Sequence, residues 1–208
     1  MKKMVLVFTL AAFALSGSAF AQDPTYFDNI GLYLTPGGYA DPFNVDGSGS
    51  CGNTTIDTPF TAYVVLSRLT NPEVWAWEAK IIPSNMLLLQ TTINGDNINA
   101  GSRPNEYIVG LSAPLFAVDN AVVVAEMTFM INSFYNDFSQ PGYVFVEGIY
   151  FSTLPSGLPA YLEASGSAGV ELHTALGDPG NPQLTINGDC VGVGVEASSW
   201  GNLKSLYR

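Results

Sequence analysis

Alternation with a period of two, in short runs closed off by Gly, Pro, Asn and Asp, is the feature that most restricts what this chain can become. Residues two apart on an extended backbone share a face, so such runs make half-buried antiparallel strands, and no comparable helical stretch interrupts them. Strands are predicted at Ile30 to Leu34, Phe60 to Leu69, Val74 to Ile82, Met86 to Ile93, Glu106 to Ser112, Ala121 to Asn132, Gly142 to Phe151, Tyr161 to Ala164, Val170 to Thr174, and Gln183 to Ile186 with Val191 to Val195. In the second, Phe60, Ala62, Val64 and Leu66 share the face expected in a core, and Thr61, Tyr63, Val65 and Ser67 the face expected in water. In the third, Trp75, Trp77, Ala79 and Ile81 oppose Glu78 and Lys80. About nine strands at this spacing, with Pro-containing connections, predict an all-β fold: a two-sheet antiparallel β-sandwich with jelly-roll or Greek-key wiring.

Composition supports a packed domain. Of 208 residues 47% are apolar and only 12% charged, against a globular average of about 25% charged, so a large core can form and intrinsic disorder is excluded. Gly (21) and Pro (13) carry no Gly-X-Y period, which excludes collagen. The 18 acidic residues against 7 basic ones give a net charge of -11, which opposes a phosphate backbone and removes nucleic acid as a partner.

The first 21 residues read as a secretory signal: Lys2 and Lys3 as a positive start, an uncharged apolar run from Met4 to Leu15, and Ala19-Phe20-Ala21 as the cleavage site before Gln22. The run is too short to span a bilayer, no other segment is apolar enough, and no transmembrane anchor is expected in the mature chain. Leu15-Ser16-Gly17-Ser18 has the outline of a lipoprotein box, but Ser18 lacks the thiol that would carry the lipid. The predicted organisation is therefore a signal peptide at 1–21, a β-sandwich at 22–196 and a tail at 197–208. Between Gln22 and Glu196 the acidic residues face only Arg68, Lys80 and Arg103, a balance that favours solubility or divalent cations over anionic surfaces.

Cys51 and Cys190 stand near opposite ends of the predicted domain in a chain read as exported. A disulfide between them is expected, worth on the order of 4–5 kcal/mol by chain entropy, with two free thiols as the alternative. The string Thr-Ile-Asn-Gly-Asp occurs twice, at Thr92 to Asp96 and Thr185 to Asp189, and reads as two independent turns.

Several groups are of types that could carry chemistry. His173, the sole histidine, lies opposite Val170 and Leu172 on a strand; with no G-x-S-x-G elbow it reads as a surface histidine and not a triad base. Glu78, Glu126 and Glu147 could supply a glycosidase carboxylate pair, but each alternates with apolar neighbours as an outward strand residue does. Asp41, Asn44, Asp46 and Ser48 present oxygens at the spacing of a calcium loop; Pro42 and the missing glutamate at the twelfth position depart from the full pattern, and a plain surface loop is the competing reading. Trp75 and Trp77 could form a sugar platform, although Ala79 and Ile81 continue their face and favour burial. No other cofactor is implied, and no catalytic set assembles.

In the tail, Trp200, Leu203 and Tyr207 fall on one face of a two-turn helix, with Ser198 or Ser199 able to cap it and Lys204 and Arg208 suited to its end. So short a helix needs a surface, either the sandwich or an export or attachment machinery.

The segments Phe60 to Leu66, Val74 to Pro83, Tyr107 to Leu111 and Ala121 to Ile131 follow one another in an order that resembles cohesin-like modules, across roughly Asn29 to Ile149. That resemblance implies an extracellular nine-strand jelly-roll sandwich. The ending Ser198-x-Trp200-Gly201-x-x-Lys204-x-Leu206-Tyr207-Arg208 is similar to the ends of uncharacterised secreted proteins of uncultured bacteria. The expectation is a non-catalytic, secreted or cell-surface adhesion or scaffold protein with a protein or matrix partner; a carbohydrate-binding module and a secreted hydrolase are the alternatives.

Overall fold

The computed structural model describes residues 26–40, 49–134, 136–137, 139–164, 168–177 and 180–188. The signal segment, the loop with Asp41, Asn44, Asp46 and Ser48, Cys190, the strand predicted at Val191 to Val195, and the tail residues Trp200, Leu203, Lys204, Tyr207 and Arg208 all lie outside the described residues.

The described chain is a two-sheet β-sandwich. Its strands are β1 (Asn29–Tyr33), β2 (Cys51–Gly52), β3 (Phe60–Ser67), β4 (Glu73–Ser84), β5 (Leu87–Ile93), β6 (Asn97–Asn99), β7 (Glu106–Phe116), β8 (Ala121–Met130), β9 (Gly142–Glu147), β10 (Ala160–Leu162), β11 (Gly169–Glu171), β12 (His173–Thr174) and β13 (Leu184–Ile186). A five-stranded sheet runs β12-β1-β3-β8-β5. An eight-stranded sheet runs β11-β10-β4-β9-β13-β2, with β7 on β4 and β6 on β7. The short β2 and β6 were not legible as strands in the sequence. Nor is the sandwich purely antiparallel: β1 pairs with β12 and β2 with β13 in parallel. A parallel pair needs a long connection, and in both cases nearly the whole domain supplies it.

The core lies between the sheets, where Ile30, Leu32, Ala62, Val64, Leu66, Trp77, Ala79, Ile81, Met127, Phe129, Val144 and Val146 pack together. β-branched and aromatic side chains fill pleated surfaces well, which is why these runs become strands. Pro83 fits within β4 because of its register. Ile81 donates to the Asn105 carbonyl, so the Pro83 nitrogen points to the same side, past the start of β7, where no ladder bond is lost.

Four expectations are corrected. The alternation in β4 breaks: Val74 and Trp77 both enter the core although they are three apart, and the register against β7 shifts between Val74 and Ala76. Trp75 and Trp77 are thereby thrown out of phase. The outer face of β3 is not in water, since Val65 joins Tyr33, Ala121 and Ala175 in a second buried cluster, with Tyr63 packed against it. The strand predicted through Phe151 ends at Glu147, because a Cβ at Gly148 would sit 1.8 Å from the Gly157 carbonyl oxygen as the chain folds back on itself. The strand predicted at Val170 to Thr174 divides at the fully buried Leu172, with β11 in one sheet and β12 in the other.

Asp28 ties the layers together. Held at φ 58 and buried, it accepts bonds from the Thr70 amide (2.8 Å), the Thr70 hydroxyl and the Tyr161 hydroxyl (2.8 Å). Burial, with the Asp28 carboxylate adding to it, pushes the Tyr161 phenol up to about 12.

Candidate binding surface on the eight-stranded sheet

Register determines which side chains share the outer face of this sheet. Ala76 lies between Gly110 and Leu162, Glu78 between Ile108 and Ala160, and Lys80 between Glu106 and Glu147. The face is small and apolar at one end and charged in the middle. Over it folds the loop 148–159 that joins β9 to β10.

Two buried glutamates hold that loop. Glu106, 8% exposed, accepts the Tyr150 amide at 3.0 Å. Glu78, 5% exposed, accepts three bonds on Oε1: the Thr153 amide at 2.9 Å, the Thr153 hydroxyl at 2.9 Å and the Ser152 hydroxyl at 3.2 Å. The Leu154 amide donates in turn to the Ser152 hydroxyl, and a turn at Gly157, with φ +71, closes the loop on the Leu154 carbonyl. Hydrogen bonds to a carboxylate are about twice as strong as neutral ones, so this backbone is fixed on both sides of residues 150 and 151.

Between the two anchors stand Tyr150 and Phe151, 67% and 76% exposed, their rings edge to face at 4.7 Å. The Arg103 guanidinium lies 3.7 Å from the Tyr150 ring centre and 5.2 Å from that of Phe151. Large exposed rings on a fixed loop beside a guanidinium are the residue types that dominate protein recognition. Beside the loop is an open cavity of about 310 Å³, walled by Ala76, Glu78, Ile108, Leu162 and Thr153.

Of the described residues singled out in the sequence, only Glu78 and Glu147 lie on this face. Glu78 is not an outward, solvated strand residue, because the loop covers it. Glu126 is exposed on β8 in the other sheet, opposite Tyr63 and Thr92. His173 is half-buried on β12 with its ring 4.3 Å from that of Tyr26. The structure does not bring Glu126 or His173 to Glu78. Trp77 is buried and stacks on Tyr107 at 5.7 Å, while Trp75 is half-buried and donates to Glu73 at 3.0 Å, so the two indoles form no common platform. Cys51 is buried on β2 opposite Thr185. Among the described residues no group of three or more His, Cys, Asp or Glu could hold a metal ion, and no helix is long and apolar enough to cross a membrane. The sequence reading missed Tyr150, Phe151 and Arg103; the available signal was the Gly148 and Gly157 pair bracketing a Ser-Thr step.

No family model matches the chain, and no curated protein matches it. Solved structures do. The sixth cohesin of Acetivibrio cellulolyticus scaffoldin B, in complex with a Cel5 dockerin mutant, is 11% identical, with 79% of this chain and 100% of that one covered and a TM-score of 0.49. The third ScaB cohesin of R. flavefaciens, in complex with a group 1 dockerin, is 6% identical over 80% and 100%, with a TM-score of 0.46. A cohesin module from a Clostridium perfringens family 33 glycoside hydrolase is 10% identical over 72% and 92%, with a TM-score of 0.44.

Proposed function

We propose that this protein is a non-catalytic, secreted or cell-surface adhesion or scaffold module, and that it binds a protein partner through the outer face of its eight-stranded sheet. The carrying observation is the Tyr150–Phe151 pair: two large rings exposed to water, yet held by two buried carboxylates and an arginine. An interface anchor fixed in advance loses less entropy on binding than one that must be ordered. Of the carboxylates a hydrolase could use, Glu78 is engaged in holding the loop and Glu126 belongs to the other sheet, which leaves Glu147 on this face without a free carboxylate partner among the three. Secretion rests on the Lys2-Lys3 start and the Ala19-Phe20-Ala21 site. The parallel pairing of Thr185 with Cys51 supports a Cys51–Cys190 bond, and calcium at Asp41 to Ser48 stays with this proposal as an optional ligand.

The test is a binding comparison. The purified protein and its Tyr150→Ser/Phe151→Ser variant are presented to envelope proteins of the producing cell, to a dockerin module and to a glycan array. Saturable protein binding that the variant loses while keeping its circular dichroism spectrum supports the proposal. Binding to glycans alone, lost in the same variant, would make this a carbohydrate module, and turnover of an ester, peptide or glycoside abolished at Glu78, Glu126, Glu147 or His173 would make it a hydrolase.

A further inference from the structure

We infer that the cavity beside Glu78 is a seat for one lysine side chain of the protein partner, its ammonium bound by Glu78 and its stem laid along Ala76, Ile108 and Leu162. This rests on the proposed reading of the outer face as a protein-binding surface. Glu78 is 95% withdrawn from solvent by residue area (5% exposed) yet lines an open cavity of about 310 Å³ whose other walls are mostly carbon. A buried carboxylate at such a place calls for a donor of opposite charge.

The distribution of its bonds narrows the donor. All three loop bonds end on Oε1, and none of them reaches Oε2. A guanidinium binds a carboxylate best through both oxygens at once, and here one is already occupied by three donors. A compact ammonium needs only the remaining oxygen. The methylene stem of lysine matches the apolar walls, since that side chain buries its carbons while its charge finds a partner. Charge complementarity acts in the same direction, because the 18 acidic residues of this chain outnumber its 7 basic ones and favour a cationic partner.

The experiment is a titration of the isotope-labelled protein with Nα-acetyl-lysine-N-methylamide, followed by NMR at the Thr153 amide, whose hydrogen is bonded to Glu78. Parallel titrations use the norleucine, arginine and Nε-acetyl-lysine counterparts. A saturable shift with lysine, at least about tenfold weaker with norleucine and with Nε-acetyl-lysine and weaker with arginine, is the expected result. Glu78→Gln should abolish the preference. Ala76→Leu should abolish binding by filling the floor without removing any of the three loop bonds, and it decides the matter if Glu78→Gln unfolds the loop. Equal binding of norleucine, or no saturable shift with lysine, overturns the seat. A response to lysine in a protein that shows no partner binding overturns the partner and assigns the seat to a free amine. Partner binding through Tyr150 and Phe151 without a lysine response leaves the surface standing and overturns the seat.

Discussion

The outer faces of the two sheets are closed in opposite ways. On the five-stranded sheet a second apolar cluster of Tyr33, Val65, Ala121 and Ala175 seals the surface, so tightly that a Cβ on Gly31 would lie 2.6 Å from the Tyr33 hydroxyl. On the eight-stranded sheet the corresponding glycine, Gly110, has no atom within 4 Å of where its Cβ would be, and the cover is a single loop pinned by Glu78 and Glu106. Apolar closure fills the middle of that face and leaves an open cavity, lined by Phe27, Tyr39, Arg68, Asp119 and Asn120, at the end where β1, β3 and β8 meet their loops. Polar pinning leaves an open cavity and two exposed rings held on a fixed backbone, and the proposed recognition surface rests on that difference.

The largest expected effect concerns the far edge of the eight-stranded sheet, where β2 holds to β13 through two residue pairs. Cys51→Ser with Cys190→Ser should lower the unfolding free energy by on the order of 4–5 kcal/mol, measured by urea denaturation without reductant. Unchanged stability would mean that the proposed bond is absent.

Alkaline pH should break the outer cluster of the five-stranded sheet, through Tyr33, and the core between the sheets, through Tyr161. Burial holds the Tyr33 phenol well above its usual range and pushes Tyr161 up to about 12. A pKa raised in the folded state marks stability that is complete below the unfolded value of about 10 and is lost as pH climbs through the folded one. Ultraviolet titration at the phenolate band should therefore show a class of tyrosines that ionises only with loss of the near-ultraviolet circular dichroism signal.

Glu78→Ala should cost about 1.5–3 kcal/mol, because the Thr153 amide and two hydroxyls lose a charged acceptor. Its particular sign is faster hydrogen exchange at Tyr150 and Thr153 with the five-stranded sheet unchanged. The two glycines sharpen the contrast: Gly31→Ala should destabilise by about 1–3 kcal/mol through overpacking, whereas Gly110→Ala should be neutral or stabilise by about 0.5–1 kcal/mol. Equal effects at both sites in thermal melts would remove the distinction between the faces. Smallest of all, Tyr150→Ser and Phe151→Ser should each change stability by no more than about 0.5 kcal/mol.

The strands that form the core were legible because side-chain period and burial coincide there: β3, β8 and the second half of β4 fall within a few residues of where Ala62, Val64, Leu66, Met127 and Phe129 place them. What escaped the sequence depends on events across the fold. The bulge that separates Trp75 from Trp77 is fixed by the register against β7, and β2 and β6 are strands only because β13 and β7 lie beside them. Glu78 alternates with apolar residues as an exposed strand glutamate does. Only the return of the chain at Gly148 and Gly157 turns it into the buried anchor of a loop some 75 residues further on. The candidate surface was invisible for the same reason, since Arg103, Tyr150 and Phe151 belong to two separate connections.

The central claim, that the recognition surface lies on the eight-stranded sheet, is tested most directly by a matched pair of surface variants in one binding assay. Tyr150→Ser/Phe151→Ser removes the exposed rings there, and Leu89→Ser removes an exposed apolar residue of β5, at the edge of the five-stranded sheet. Partner binding lost in the first variant and retained in the second, with both melting like the parent protein, is the predicted result; loss in the Leu89 variant with full binding by the Tyr150/Phe151 variant would contradict it.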